Sequence, residues 1–260
     1  MLKNALIGMV HVGALPGAHR ARSSVAELTR QAVLEANVLH DAGYDALILE
    51  NMHDAPYVNG PHDPAVVAAM AMVAGALRQA LPRMAMGIQV LSRGEREALA
   101  IAHACGLQFV RCENFVFAHV ADEGLLPDAA AGPLLRYRRA IGAEGVKVFA
   151  DIQKKHASHA ITNDLDVAEL AKGAEFFCAD GVIVTGVATG EPTSTDDVVA
   201  ARRATKLPIL VGSGVTPEQV PVLLRHADAL IVGSWIKQGG VWHQPVDAQR
   251  AKQLAAMRGK

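Results

Sequence analysis

The chain has 260 residues, about half of them apolar, and a net charge of -1. That is ample material for a sizeable core in one large domain. The balanced charge, with no Lys/Arg-rich block, argues against a nucleic-acid surface, and no run of about eighteen apolar residues is present to insert into a membrane. Three cysteines, Cys105, Cys112 and Cys178, contain no CxxC pair. This usage suits reduced thiols in a cytoplasm better than a disulfide framework. The opening "MLKNALIGMVHVG" is too short and too soon interrupted for a signal peptide.

Eight short β-rich apolar runs follow in order: Ala5–His11, Asp45–Asn51, Met84–Val90, Gln108–Asn114, Val146–Ile152, Gly181–Gly186, Pro208–Ser213 and Ala229–Ser234. Most are continuous rather than alternating, as parallel strands buried on both faces are. Helix-like segments lie between them. Ser24–Glu27 and Ser92–Glu95 read as capping boxes, and Asp63-Pro64 as an N-cap before a first-turn proline. Thr216-Pro217 combines both signals. Strand–helix alternation repeated eight times predicts a (β/α)8 barrel, a TIM barrel, as a single domain over residues 1–260. A doubly wound open sheet is the alternative.

Chemistry in such a barrel sits on the loops that follow the strands. The loops after runs one, two, four, five and six are long and polar; the last two read as short and glycine-rich. Gly212-Ser213-Gly214 and Gly233-Ser234 follow runs seven and eight, where barrels build phosphate sites from backbone amides and a helix N-terminus. The plainer reading is that each glycine only turns the chain. Polar residues close most runs: His11, Glu50 and Asn51, Gln89, Arg111 and Glu113, Asp151 and Gln153, and Thr185. Such a ring describes a polar ligand pocket, or a satisfied plug in which Arg111 pairs with Glu50, Glu113 or Asp151.

The densest cluster is "DIQKKHASH". Alternation places Asp151, Gln153 and Lys155 on one side and Lys154 on the other. A lysine at a barrel mouth serves as a phosphate clamp, an electrophilic stabiliser or, with a lowered pKa, a Schiff-base nucleophile. His156 reads as a general base or as an ordinary loop histidine. His11, Glu50, His53, Asp54, Asp151, His156 and His159 include metal-ligand types, but no HExxH spacing. Zinc is disfavoured and no metal ligands are assigned; magnesium held with a phosphate stays open, since it needs only one or two carboxylates. Thr185–Thr195 reads as a lid or as a loop capped by Ser194 or Thr195. Met9, Met52, Met84 and Met86 read as core, and Cys112 as a buried thiol. Neither a GxSxG elbow nor a Walker A sequence occurs.

Several longer blocks, "MVHVGALPG", "ILENMHDAPY", "ADIQKKHASHA", "DGVIVTGVATGEPTSTDDV" and "PILVGSGVTPEQV", resemble the BtpA/SgcQ family, and the likeness runs from about Met9 to Val246. The resemblance implies a TIM barrel close to the ribulose-phosphate-binding group. It also implies one of two roles, a photosystem I biogenesis factor or a poorly defined enzyme encoded near sugar-uptake genes. By that likeness Gly212, Ser213, Gly214, Gly233 and Ser234 match phosphate-gripping loops, and Glu50, Asn51, Asp54, Asp151, Lys155 and His156 fall in family blocks at the barrel mouth. The chain departs from the pattern after the fourth strand: something like Arg-Val-Asn-Val is expected, and Arg111-Cys112-Glu113-Asn114 stands there. An extra carboxylate at that point suggests another substrate.

The expected function is an enzyme acting on a small phosphorylated molecule by proton transfer or aldol-type chemistry. Glu50, Glu113, Asp151, Lys155 and His156 are its catalytic candidates. His11, Asn51, Asp54, Arg111, Thr185 and the two glycine loops are its binding candidates. A homo-oligomer is expected. The rival expectation is a non-catalytic assembly factor, which would present an exposed apolar patch instead of an enclosed pocket.

Overall fold

The computed structural model describes residues 3–186 and 192–259. The eight apolar runs form eight parallel strands: β1 (Ala5–His11), β2 (Ala46–Glu50), β3 (Ala85–Gln89), β4 (Phe109–Cys112), β7 (Lys147–Asp151), β9 (Gly181–Val184), β10 (Ile209–Val211) and β11 (Ala229–Val232). They close into a barrel in the order β1-β11-β10-β9-β7-β4-β3-β2. The helices that separate them are α1 (Val25–Asp41), α2 (Pro64–Ala80), α3 (Glu95–Cys105), α4 (Ala131–Ala140), α5 (Val167–Phe176), α6 (Thr195–Ala204), α7 (Val220–Leu223) and α8 (Ala248–Ala255).

The period of two along each strand sets what the barrel contains. Ala5, Ile7 and Met9, then Ala46 and Ile48, Phe109, Phe149, Ile183, Leu210 and Ile231 form the apolar interior. One further step of two along β1, β2, β4 and β7 reaches His11, Glu50, Arg111 and Asp151. Register puts His11 beside Glu50 and Glu50 beside Gln89. His11, Glu50, Gln89, Arg111 and Asp151 of the polar ring are therefore the top interior layer of the barrel, while Asn51, Glu113, Gln153 and Thr185 lie in the loops just beyond the strands. The aromatic rings of the layer below need space, and glycine supplies it. A Cβ at Gly87 would lie 2.1 Å from the Phe109 ring. Gly87→Ala is thus expected to lower stability by about 1–3 kcal/mol through overpacking, read as a lower midpoint in urea.

Ser24 and Glu27 form the capping box at α1, Asp63 caps α2 ahead of Pro64, and Ser194 caps α6. The other two cap readings are corrected. Gly94 occupies the N-cap of α3 with no side-chain cap, because the Ser92 hydroxyl bonds Glu123 instead. After β10 the chain makes turns in which the Gln219 side-chain oxygen Oε1 accepts the Thr216 amide; α7 starts only at Val220 and has four residues. A long helix dipole does not stand behind Gly212–Gly214.

Two loops also differ from expectation. The loops after β4 and β7 carry a small antiparallel sheet, β5 (His119–Ala121), β6 (Gly124–Leu126) and β8 (Ala157–Ser158), in the order β6-β5-β8. The loop after β11 is long, since α8 begins only at Ala248. It buries Lys237 completely against Glu35 of α1, Nζ to Oε2 2.7 Å. Residues 187–191 of the Thr185–Thr195 reading lie outside the described residues. Among the described residues no helix is long and apolar enough to cross a membrane.

Candidate active site

Two adjoining cavities occupy the barrel mouth. The smaller, about 30 Å³, is a notch between Gly212–Gly214, Gly233–Ser234, His11 and Arg111. Close packing builds it. A Cβ at Gly212 would lie 2.6 Å from Ile183 Cγ2 and 3.0 Å from Thr185 Cγ2. Gly214 sits at φ +63°, which strains any other residue. Gly233 has room for a side chain, so its turn does not by itself demand glycine. The Trp242 carbonyl can only accept, so the His11 Nδ1 contact at 2.9 Å makes Nδ1 the protonated nitrogen. Nε2 keeps its lone pair on the Gly233 side, 3.6 Å from where that residue's Cβ would stand. Burial, then Lys237, pushes the His11 pKa well below the usual value and holds the ring neutral.

The larger cavity, about 230 Å³, shares Glu50, Met52 and Lys155 with the notch and adds Glu113, Glu123, Lys154, His156, Tyr57 and Trp242. Burial raises the Glu50 carboxyl, against the opposing pull of Arg111 and Lys155. Burial raises Glu113 further, to about 7. Its Oε2 is buried with no hydrogen-bond partner among the described residues, and the Lys154 ammonium stands 4.0 Å away. Lys154 lies nearer Glu123, at 3.0 Å. Burial works against the Glu123 charge, but the bonds from Ser92 and Lys154 outweigh it and keep this carboxyl below its usual range. Burial and then Arg111 lower the Lys155 amine. The site therefore holds one satisfied carboxylate and one poised to exchange a proton near neutrality.

The structure brings Glu50, Glu113, Lys155 and His156 around one cavity, and His11, Arg111 and both glycine loops around the other. It keeps four candidates out. Asp151 is taken up in a buried two-pronged pair with Arg111, at 3.0 and 3.2 Å. Asn51 spans to Leu91 and to Asp54, and Asp54 also accepts the Leu15 amide. Together they staple the loops after β1, β2 and β3. The Thr185 hydroxyl donates to the Gln153 carbonyl at 2.7 Å. Lys154 does not point away from the mouth as alternation implied; the chain leaves regular strand after Asp151 and both lysines line the cavity. Met52 is likewise a cavity wall; Met84 and Met86 are core, and Met9, buried in the barrel interior, also lines the notch.

Glu123, Trp242 and Tyr57 escaped the sequence reading. Glu123 sits in the turn between β5 and β6, for which "HVADEGLL" is a short hairpin signal. Nothing local announces Trp242, which the long last loop delivers. A wider cavity of about 670 Å³ lies beside Pro16–His19 and Asp54, but the Asp54 oxygens facing it already accept bonds. Among the described residues no group of three His, Cys, Asp or Glu is placed to hold a metal, and two lysines already stand beside the mouth carboxylates.

The fold and site together define a (β/α)8 barrel with a glycine-walled notch and a carboxylate-rich mouth. The model of the BtpA family matches residues 2–259, and the chain belongs to that family. It is 42% identical to an uncharacterized Caenorhabditis elegans protein whose name calls it mitochondrial, over 94% of this chain and 89% of that one. It is 36% identical to the photosystem I biogenesis protein BtpA of Synechocystis, over 95% of this chain and 85% of that one. Among solved structures it resembles a 3-hexulose-6-phosphate synthase, at TM-score 0.59 and 20% identity, covering 97% and 99% of the two chains. It also resembles the thiamine phosphate pyrophosphorylase of Pyrococcus furiosus, at TM-score 0.59 and 11% identity, covering 98% and 95%. At such identities the two structures speak for the fold alone.

Proposed function

We propose that this barrel is an enzyme acting on a small phosphorylated molecule by proton transfer next to a carbonyl or by aldol-type cleavage. The observation that carries the reading is Glu113: a carboxyl held at about 7, with one buried oxygen lacking a hydrogen-bond partner, beside a notch of a size and lining that suit a phosphoryl group. The notch amides, with Arg111 in the wall beside them, fix the anion, which places the reacting carbons against Glu113 and Glu50. Glu113 takes and returns the proton. Lys155 steadies the developing enolate oxygen, or attacks the carbonyl as the amine its burial favours.

Gly214→Asp tests the notch. It puts a side chain at a positive φ and a negative charge beside the anion. Affinity for inorganic phosphate, followed by phosphorus NMR, is expected to fall at least about tenfold, the equivalent of 1.4 kcal/mol. Unchanged affinity removes the phosphate site and this function with it.

A second reading keeps the barrel as a binding platform, as the name of the Synechocystis relative suggests. Phe176, 82% exposed at the end of α5, and the neighbouring exposed Phe177 favour it.

A further inference from the structure

We propose that the ligand of this mouth carries one anionic group only, seated in the glycine notch, and that its other end bears hydroxyl groups and no second anion. The inference rests on the phosphate reading of the notch and adds what the larger cavity will accept.

Charge is the first reason. Four carboxylates, Glu50, Glu113, Asp122 and Glu123, line the larger cavity against two amines, Lys154 and Lys155. Lys154 lies 3.0 Å from Glu123, and the two largely neutralise each other. Lys155 is left beside Glu113 and the buried Glu50, with Asp122 exposed at the rim, and it also borders the notch. A second phosphate or a carboxylate at the far end would stand against Glu113 and the buried Glu50, while of the two lysines lining the cavity Lys154 is taken by Glu123 and Lys155 is shared with the notch.

Hydrogen bonding is the second reason. Ionised carboxylates only accept. Glu113 Oε2 has no donor among the described residues, and the Tyr57 hydroxyl already donates to the Met52 carbonyl at 2.8 Å. A donor on the ligand completes that Glu113 oxygen's bonding. Hydroxyl groups do so without adding charge, and a protonated Glu113 can in turn donate to them. Shape agrees: Trp242, Met52 and Leu91 give the cavity apolar walls for the C–H faces of a polyol. Its volume of about 230 Å³ lies below the roughly 300–1,000 Å³ of drug-sized sites, which suits a short chain.

The test is calorimetric titration of the full chain with esters paired on one carbon skeleton: ribulose 5-phosphate against ribulose 1,5-bisphosphate, and glycerol 3-phosphate against 3-phosphoglycerate. Inorganic phosphate is followed separately by phosphorus NMR. The expected result is at least about tenfold tighter binding of the singly anionic member of each pair, with the gap narrowed in Glu113→Gln and in Glu50→Gln. Equal or tighter binding of the doubly anionic partner overturns the inference, as does a gap that neither substitution changes. If phosphate binds but none of the esters does, the inference fails alone. If phosphate fails too, the notch reading falls with it.

Discussion

Glu113→Gln is expected to melt at a higher temperature than the parent at pH 8 and at nearly the same temperature at pH 5. The Glu113 carboxyl titrates near 4.5 when unfolded and at about 7 when folded. Its raised folded value contributes stability that is fully present below the unfolded pKa and is lost as pH rises through the folded one. The window therefore runs from about 4.5 to somewhat above 7, and the loss across it is on the order of 1–3 kcal/mol after allowance for relaxation. Glutamine carries no charge at either end, so it escapes the loss. A melting difference of the same size at both pH values would show that Glu113 does not titrate as described. The same substitution removes the proton carrier, and turnover of any substrate found should drop by roughly 10²–10⁴. In the parent, a limb of the activity profile should lie near pH 7, rising with pH if Glu113 acts first as a base.

Asp151→Asn should cost about 3–5 kcal/mol in urea unfolding, because it leaves a buried guanidinium without its counter-ion. Arg111 and Asp151 are almost wholly buried and meet through two bonds, at 3.0 and 3.2 Å. Replacing both together, Arg111→Met with Asp151→Leu, should return much of that stability, since desolvation then has no charge to act on. The double variant should still lose phosphate binding, because Arg111 forms one wall of the notch. A cost below about 1 kcal/mol for Asp151→Asn would instead place the pair among weak, solvent-screened bridges.

These two results concern residues that looked alike in the chain. Glu113 and Asp151 both close apolar runs, and strand periodicity put both near the mouth. Only Glu113 reaches the cavity; Asp151 is held below it by Arg111 on the neighbouring strand β4. Asn51, Asp54 and Thr185 show the same limit. Asn51 and Thr185 stand at strand ends and Asp54 in the loop after β2, and the loops bring each of them a backbone partner. A side chain's position along a strand does not disclose whether its hydrogen bonds are already met.

The eight strands, their parallel closure and the ring of polar ends were legible in the chain, because apolar run length, helix caps and a period of two are local properties. So were the two glycine loops and the candidacy of Glu50, Glu113 and Lys155. What only the tertiary structure decided was the division of labour among the charged groups. Glu123 arrives from a hairpin and takes Lys154, while Trp242 arrives from the last loop and orients His11. Glu113 is left with a buried oxygen and too little positive charge beside it. That outcome depends on burial and on distances of 3 to 4 Å between segments far apart in the chain, and desolvation and Coulomb energy at that range have no counterpart in local sequence.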